Sequence, residues 1–202
     1  MDILAGDFQG GLSQGSSLFN GLMDALASQI RGTNFRLSVD ETVQIDGISS
    51  FVEGVLDKSG GQQVEHLYIL DHGYEIAGAG YKATLDGKIG AGRNWSRVQV
   101  EFGSTKLGHS NFRVYQPQLQ KLQKVLGRGS HVVFLNCSVG KDAALLSRLA
   151  TLWQCSVSGP TALQAAGELI NMLNLKDGMW TTAHPGKNIR QTRTHPVWGT
   201  SF

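Results

Sequence analysis

VEHLYILDHGY, residues 64–74, opens on a short apolar run and closes on an acid, a histidine and a glycine. HVVFLNCSVGK, residues 131–141, repeats the plan with a cysteine in the histidine's place. Runs such as LYIL and VVFL lack the in-out alternation of a strand with one wet face. They suit strands buried on both sides, as in a parallel sheet between layers of helices. Such sheets bind their ligands outside the carboxyl ends of the strands. Each stretch sets its chemistry-bearing residues, His72 with Gly73 and Cys137 with Ser138, just past such an end.

The rest of the chain alternates between strand-like and helix-like pieces. MDILAGDF (1–8) predicts a first strand and QGGLSQGSS its loop, before Leu18, Leu22, Met23, Leu26 and Ile30 recur at helical spacing up to Arg31 and Gly32. FRLSVDETVQI (35–45) alternates and predicts a strand or hairpin arm. Ile48, Phe51, Val52 and Val55 predict a short helix closed by KSGG. From Tyr74 to about Gln116, many glycines, a D-G turn in ATLDGKI and a strand-like RVQVEF predict a loop and hairpin excursion. Leu119, Leu122, Val125 and Leu126 mark one helical face, and Leu145, Leu146, Leu149, Leu152 and Trp153 another. QCSVSG predicts a strand with Cys155 inside it, and Leu163, Ala166, Ile170 and Leu173 a further helix. GMWTTAHPGKNIRQTRTHPVW predicts a terminal hairpin around its P-G turn. This order predicts a single α/β domain over 1–202: a three-layer sandwich with a mostly parallel central sheet and β-hairpin excursions.

Composition narrows the function classes. With 202 residues, 41% of them hydrophobic, the chain can bury one substantial core. Eighteen basic against sixteen acidic residues, with no run of five Lys/Arg, argue against nucleic acid or a membrane surface as partner. No apolar run approaches the roughly 18 residues of a membrane span, and MDILAGDFQG lacks the basic start of a signal peptide. The expected location is therefore the cytoplasm, or wherever a dedicated secretion machine delivers the chain. Cys137 and Cys155 lack C-x-x-C spacing and are expected as free thiols. His66, His109, His131, His184 and His195 show no metal-binding spacing, so no metal is expected. GAGYKA (78–83) satisfies a relaxed dinucleotide pattern, but the glycines and turn after it cannot supply the helix N-terminus that holds a pyrophosphate. GDFQGGLSQGSS (6–17) lacks the Gly-Lys-Ser/Thr ending of a phosphate loop.

A thiol and an imidazole delivered to one sheet edge form the minimal apparatus for acyl transfer. The thiol attacks a carbonyl, and the imidazole takes its proton and later protonates the leaving amine. Charge built on the carbonyl oxygen needs N–H donors. Gly73, with no side chain in the way, and the amide of Cys137 are the natural ones. Asp71 is a weaker candidate to orient the imidazole, because neighbouring side chains on a strand point to opposite faces. The chemistry calls for no metal or organic cofactor.

An apolar strand ending in His-Gly, then an apolar strand ending in Cys, resembles the caspase/gingipain superfamily of cysteine peptidases, including its bacterial CHAT-type members. VEFGSTKL, the leucine-rich helix and HVVFLNCSVGKDAALLSRLATLWQCSVSGPT extend the likeness, which covers about residues 45–165. The resemblance implies a caspase-like fold and a cysteine endopeptidase acting on protein or peptide through an acyl-enzyme. It implies His72 as acid/base, Cys137 as nucleophile, and Gly73 with Cys137 as oxyanion hole. It also admits a bacterial effector or toxin. Asn136 departs from the Ala, Gly or Gln of many relatives and bears on the pocket's shape. Ser156, Ser158 and Thr161, after the next strand, are candidates to border the specificity pocket. Two other classes compete with the peptidase: a catalytically silent caspase-like interaction module, and a nucleotide- or small-molecule-binding α/β protein using the glycine-rich loops.

Overall fold

The two quoted stretches become adjacent parallel strands. The computed structural model describes residues 1–6, 39–76, 96–162, 178–187 and 189–197. Chain order is β1 (Asp2–Gly6), β2 (Glu41–Gln44), α1 (Ile48–Ser59), β3 (His66–Leu70), β4 (Gly73–Glu75), β5 (Val98–Phe102), β6 (Thr105–Leu107) and α2 (Phe112–Leu119). A 3-10 segment (Gln120–Lys124) leads to β7 (His131–Phe134), and a 3-10 turn (Val139–Lys141) to α3 (Ala143–Trp153), β8 (Ser156–Pro160), β9 (Trp180–Ala183) and β10 (Arg190–Thr192). The central sheet runs β10-β9-β8-β7-β3-β1-β2, parallel from β8 to β2 and antiparallel at β9 and β10; β4, β5 and β6 form a small antiparallel sheet. This is the α/β architecture with a mostly parallel sheet that the apolar runs predict.

Alternation within each strand divides the sheet into two faces. Ile3, Leu67, Val132 and Val157 share one core cluster with Phe51 and Val55 of α1, Leu119 of α2, and Leu145, Leu149 and Trp153 of α3. Leu4, Tyr68 and Val133 point the other way and are buried as well, which is why LYIL and VVFL are apolar throughout. α1 ends where predicted, at Gly60 in the left-handed conformation after Lys58. Trp153 Nε1 donates to the Leu119 carbonyl at 2.9 Å and ties α3 to α2. The predicted tail hairpin forms, β9 pairing antiparallel with β10.

Some boundaries differ. β2 pairs parallel to β1 and is not a hairpin arm. The helix expected from Leu119 onward begins at Phe112, and its apolar residues continue on the 3-10 segment, where a three-residue repeat keeps Leu119, Leu122 and Val125 on one side. Cys155 precedes β8 and does not lie within it. The expected helices over 18–30 and 163–173, the GAGYKA motif, the D-G turn and most of the first glycine-rich loop lie outside the described residues. Among the described residues no helix is long and apolar enough to cross a membrane.

Candidate active site

The pairing of β3 with β7 sets the geometry. His66 is opposite His131 and Ile69 opposite Phe134, so His72 and Cys137 each fall three residues past the last paired residue of their strand. The ladder continues past β7 through the Leu135 amide, which donates to the Ile69 carbonyl at 2.7 Å. The Asn136 side chain bridges the next step, its Nδ2 donating to the His72 carbonyl at 3.2 Å. Asn136 is fully buried, and its Oδ1 has no hydrogen-bond partner among the described residues.

Gly73 lies directly on the cysteine backbone. A Cβ at Gly73 would stand 2.1 Å from the Cys137 carbonyl oxygen and 3.1 Å from the Cys137 nitrogen. Only a residue without a side chain permits that approach. Its amide direction follows from the β4–β5 ladder. Glu101 N–H donates to the His72 carbonyl and Ile76 N–H to the Arg97 carbonyl, both at 2.9 Å, so positions 72, 74 and 76 form the hydrogen-bonded pairs. Gly73 and Glu75 fall on the alternate pairs, whose N–H and C=O groups point away from β5. The Gly73 amide is therefore directed off the ladder beside Cys137.

The polypeptide after Cys137 is bent hard. Ser138 adopts the left-handed conformation (φ 58°), uncommon for a residue other than glycine, and its amide donates to the Ala162 carbonyl at 2.9 Å. Gly140 then presses on β8, where a Cβ would meet the Gly159 carbonyl oxygen at 2.3 Å. Asp142, fully buried, accepts from the Leu145 amide (3.0 Å) as the cap of α3 and from the Val98 amide (3.2 Å) of β5. One carboxylate thus joins the turn after Cys137 to the small sheet.

Charged and aromatic groups on β4 complete the surroundings. His72 is exposed and Cys137 half-buried. Tyr74, two residues beyond His72, presents its ring 5.9 Å from the imidazole, and its hydroxyl donates to Glu101 Oε2 at 3.3 Å. Partial burial, then the Glu101 carboxylate, with smaller contributions from Asp71 and Cys137, raises the Tyr74 phenol above its ordinary value. Glu75 accepts from Ser96 Oγ at 3.1 Å and pairs with Lys141 on the turn after Cys137. Burial would raise the Glu75 carboxyl, but hydrogen bonds from Lys141 and Ser96 help to outweigh it and hold the group below its ordinary value. Tyr74, Glu75 and Lys141 escape motif reading, and Asn136 enters it only as a departure from the family's pattern; alternation along a strand beginning at Gly73 would have placed Tyr74 on the face of His72.

Other expectations are redistributed. Asp71 holds backbone: its Oδ1 accepts from the His72 amide and its Oδ2 from the Gly103 amide, both at 2.7 Å. Ser156 and Ser158 do not border a pocket beside Cys137, because β8 begins at Ser156 and pairs it with His131 at the opposite end of β7. Ser158 is fully buried, within 2.7 Å of both His131 Nε2 and Thr182 Oγ1. Thr161, just past β8, is bonded to Met179 through both its amide and its hydroxyl. Cys155 is buried, which pushes its thiol up to about 12. One trio among the described residues, Asp2, Glu65 and His66, brings potential metal-ligand atoms within 4.8 Å of one another. It lies at the amino end of β3, where His66 Nδ1 meets Asp2 Oδ1 at 2.9 Å. No family model matches the chain, and no curated protein or solved structure matches it either.

Proposed function

We propose that the chain is a cysteine endopeptidase of the caspase/gingipain kind, with Cys137 as nucleophile and His72 as acid/base. The observation that carries the reading is the contact of Gly73 with the Cys137 backbone, 2.1 Å for a hypothetical Cβ. It supports two strand ends acting as one site, in which a glycine is required for a reason other than a turn.

Sulfur adds to the scissile carbonyl carbon while His72 takes the thiol proton, and the carbonyl oxygen becomes an oxyanion facing the amides of Gly73 and Cys137. Collapse breaks the C–N bond, and the proton on His72 passes to the departing amine. Water, deprotonated by His72, then adds to the thioester; the released thiolate recovers its proton and a carboxylic acid product leaves. Asn136 and Asp71 hold the backbone of His72 from two sides, and the Glu75–Lys141 pair ties β4 to the turn that carries the thiol. Protein or peptide is the proposed substrate, and the reaction draws on no organic cofactor.

Incubation with a diverse peptide library, read by mass spectrometry, tests this proposal. Native protein should cut, and Cys137→Ala and His72→Ala should each lose at least about a thousandfold in rate. A thiol-reactive peptide electrophile should label Cys137. Equal cleavage by all three proteins, or a Cys137 that no such electrophile labels, overturns the reading.

A further inference from the structure

The overall balance of charge hides a strong separation along the chain. Between Glu101 and Asp142 the sequence contains no acidic residue but carries Lys106, Arg113, Lys121, Lys124, Arg128 and Lys141. Residues 39–75 show the reverse, with eight acidic residues and Lys58 as their one base. Lys106 and Lys141 are matched by Glu101 and Glu75. Arg113, Lys121, Lys124 and Arg128 are exposed and form no ion pair among the described residues. Four uncompensated cations thus lie on α2, the 3-10 segment and the turn that follows.

A groove of about 480 Å³ runs between α2 and α3 on this basic side. Its floor is apolar, from Phe112 and Leu152; Ser147 and Thr151 supply hydroxyls, and Arg113 and Arg148 supply guanidinium groups. No carboxylate lines it. Arg148 lies 5.7 Å from the centre of the Phe112 ring, and its NH1 donates to the His109 carbonyl at 3.4 Å, which fixes one cation at the groove wall. Gln116 adds an amide that both donates and accepts, the pattern that a peptide main chain satisfies. Val114, 72% exposed, stands on the same helix.

We propose that this groove binds an acidic polypeptide segment of another protein, with an apolar side chain seated on Phe112 and Leu152 and carboxylates facing Arg113 and Arg148. Charge complementarity selects the occupant, and guanidinium forks suit carboxylates in particular. The volume falls in the range of sites that enclose a few residues or a small molecule. The groove lies along the middle and far end of α3 and shares no residue with the surroundings of Cys137, so the proposal stands independently of peptidase activity.

Amide chemical-shift mapping of the 202-residue Cys137→Ala protein tests it. The titrant is an acetylated ten-residue peptide alternating glutamate with leucine; the control replaces every glutamate by glutamine. The glutamate peptide should shift amides of residues 112–123 and 147–152, weaken several-fold between 50 and 300 mM salt, and lose at least fivefold in affinity to Arg113→Glu. Ser147→Asp, which introduces a carboxylate without touching Arg148, should act alike if both variants keep native spectra elsewhere. Equal binding of the two peptides, or shifts confined to other surfaces, overturns the proposal. So does inorganic tripolyphosphate binding the groove more tightly than the peptide, or salt-dependent dimerisation occupying it, since either names a different occupant.

Discussion

The two ends of β3 and β7 present the same side chain under opposite conditions. At the carboxyl end His72 is exposed, and Cys137, against whose backbone Gly73 lies, is half-buried. At the amino end His66 and His131 stand in register, His131 bonded to Ser158 and His184 Nδ1 lying 2.9 Å from Ser156 Oγ. His195, 1% exposed, meets the Trp180 ring edge-on with centroids 4.6 Å apart. Burial drives His131 down to about 4 and His195 to about 3, with neighbouring histidines adding to both shifts. The cysteines divide the same way, Cys137 half-buried past a strand end and Cys155 closed into the core. Access to water, more than residue type, separates groups that can exchange protons with solvent from groups that hold the sheet together.

The thiols offer the largest effect by which to break this contrast. At about 12, Cys155 is roughly one part in 10⁵ thiolate at pH 7, and it is only 2% exposed. A short exposure to iodoacetamide should alkylate Cys137 alone, with Cys155 modified only in denaturant, as peptide masses will report. Comparable native rates for both would erase the distinction. Gly73→Ala comes next, because its methyl must displace the Cys137 carbonyl from 2.1 Å. A loss of about 1–3 kcal/mol in urea unfolding is expected, with peptide turnover down about a hundredfold as the two strand ends move apart. Gly127→Ala, which meets nothing within 4 Å, should stay within about 0.5 kcal/mol. If both substitutions are equally mild, the contact at Gly73 is not a constraint.

How much of this was legible before any coordinates depended on the range of the forces involved. LYIL and VVFL announced strands buried on two faces because burial acts on each residue separately, and KSGG announced a helix end because a left-handed cap is local. His72, Gly73 and Cys137 were marked by their positions past strand ends. Glu75 was not, and Asn136 was marked only as a departure from the family's pattern, because each has its role through a partner at least 60 residues away, Lys141 for Glu75 and the His72 carbonyl for Asn136. The start of α2 falls inside the stretch read as a loop and hairpin excursion, because Phe112 and Leu119 are its only buried residues and show no helical stripe. Ser156 and Ser158 do not reach the carboxyl rim because strand limits decide which end of a sheet a residue occupies: β8 begins at Ser156, opposite His131, and seats Ser158 in its middle, opposite Val133. The near-neutral total concealed the basic side, as a sum discards position.

The slowest-varying effect belongs to His131 and His195, and its sign follows from their direction of shift. An unfolded histidine titrates near 6.5, whereas folded His131 resists protonation down to about 4 and His195 to about 3. Between these values the unfolded chain binds more protons than the native one, so stability is complete above pH 6.5 and drains away as the pH falls. The loss continues to about pH 4 for His131 and about pH 3 for His195. Each histidine contributes a slope of up to about 1.4 kcal/mol per pH unit. Acidic groups titrate across part of that window too, so the informative quantity is a difference between two proteins. His131→Gln keeps an amide near Ser158 and removes the titration; unfolding free energies measured by urea from pH 4 to 7 should show a shallower decline than in the native protein, the two curves diverging most steeply between pH 4 and 6. Parallel curves would mean that His131 takes up its proton as readily in the fold as in water, and the amino end of the sheet would then resemble the carboxyl end where it is held here to differ most.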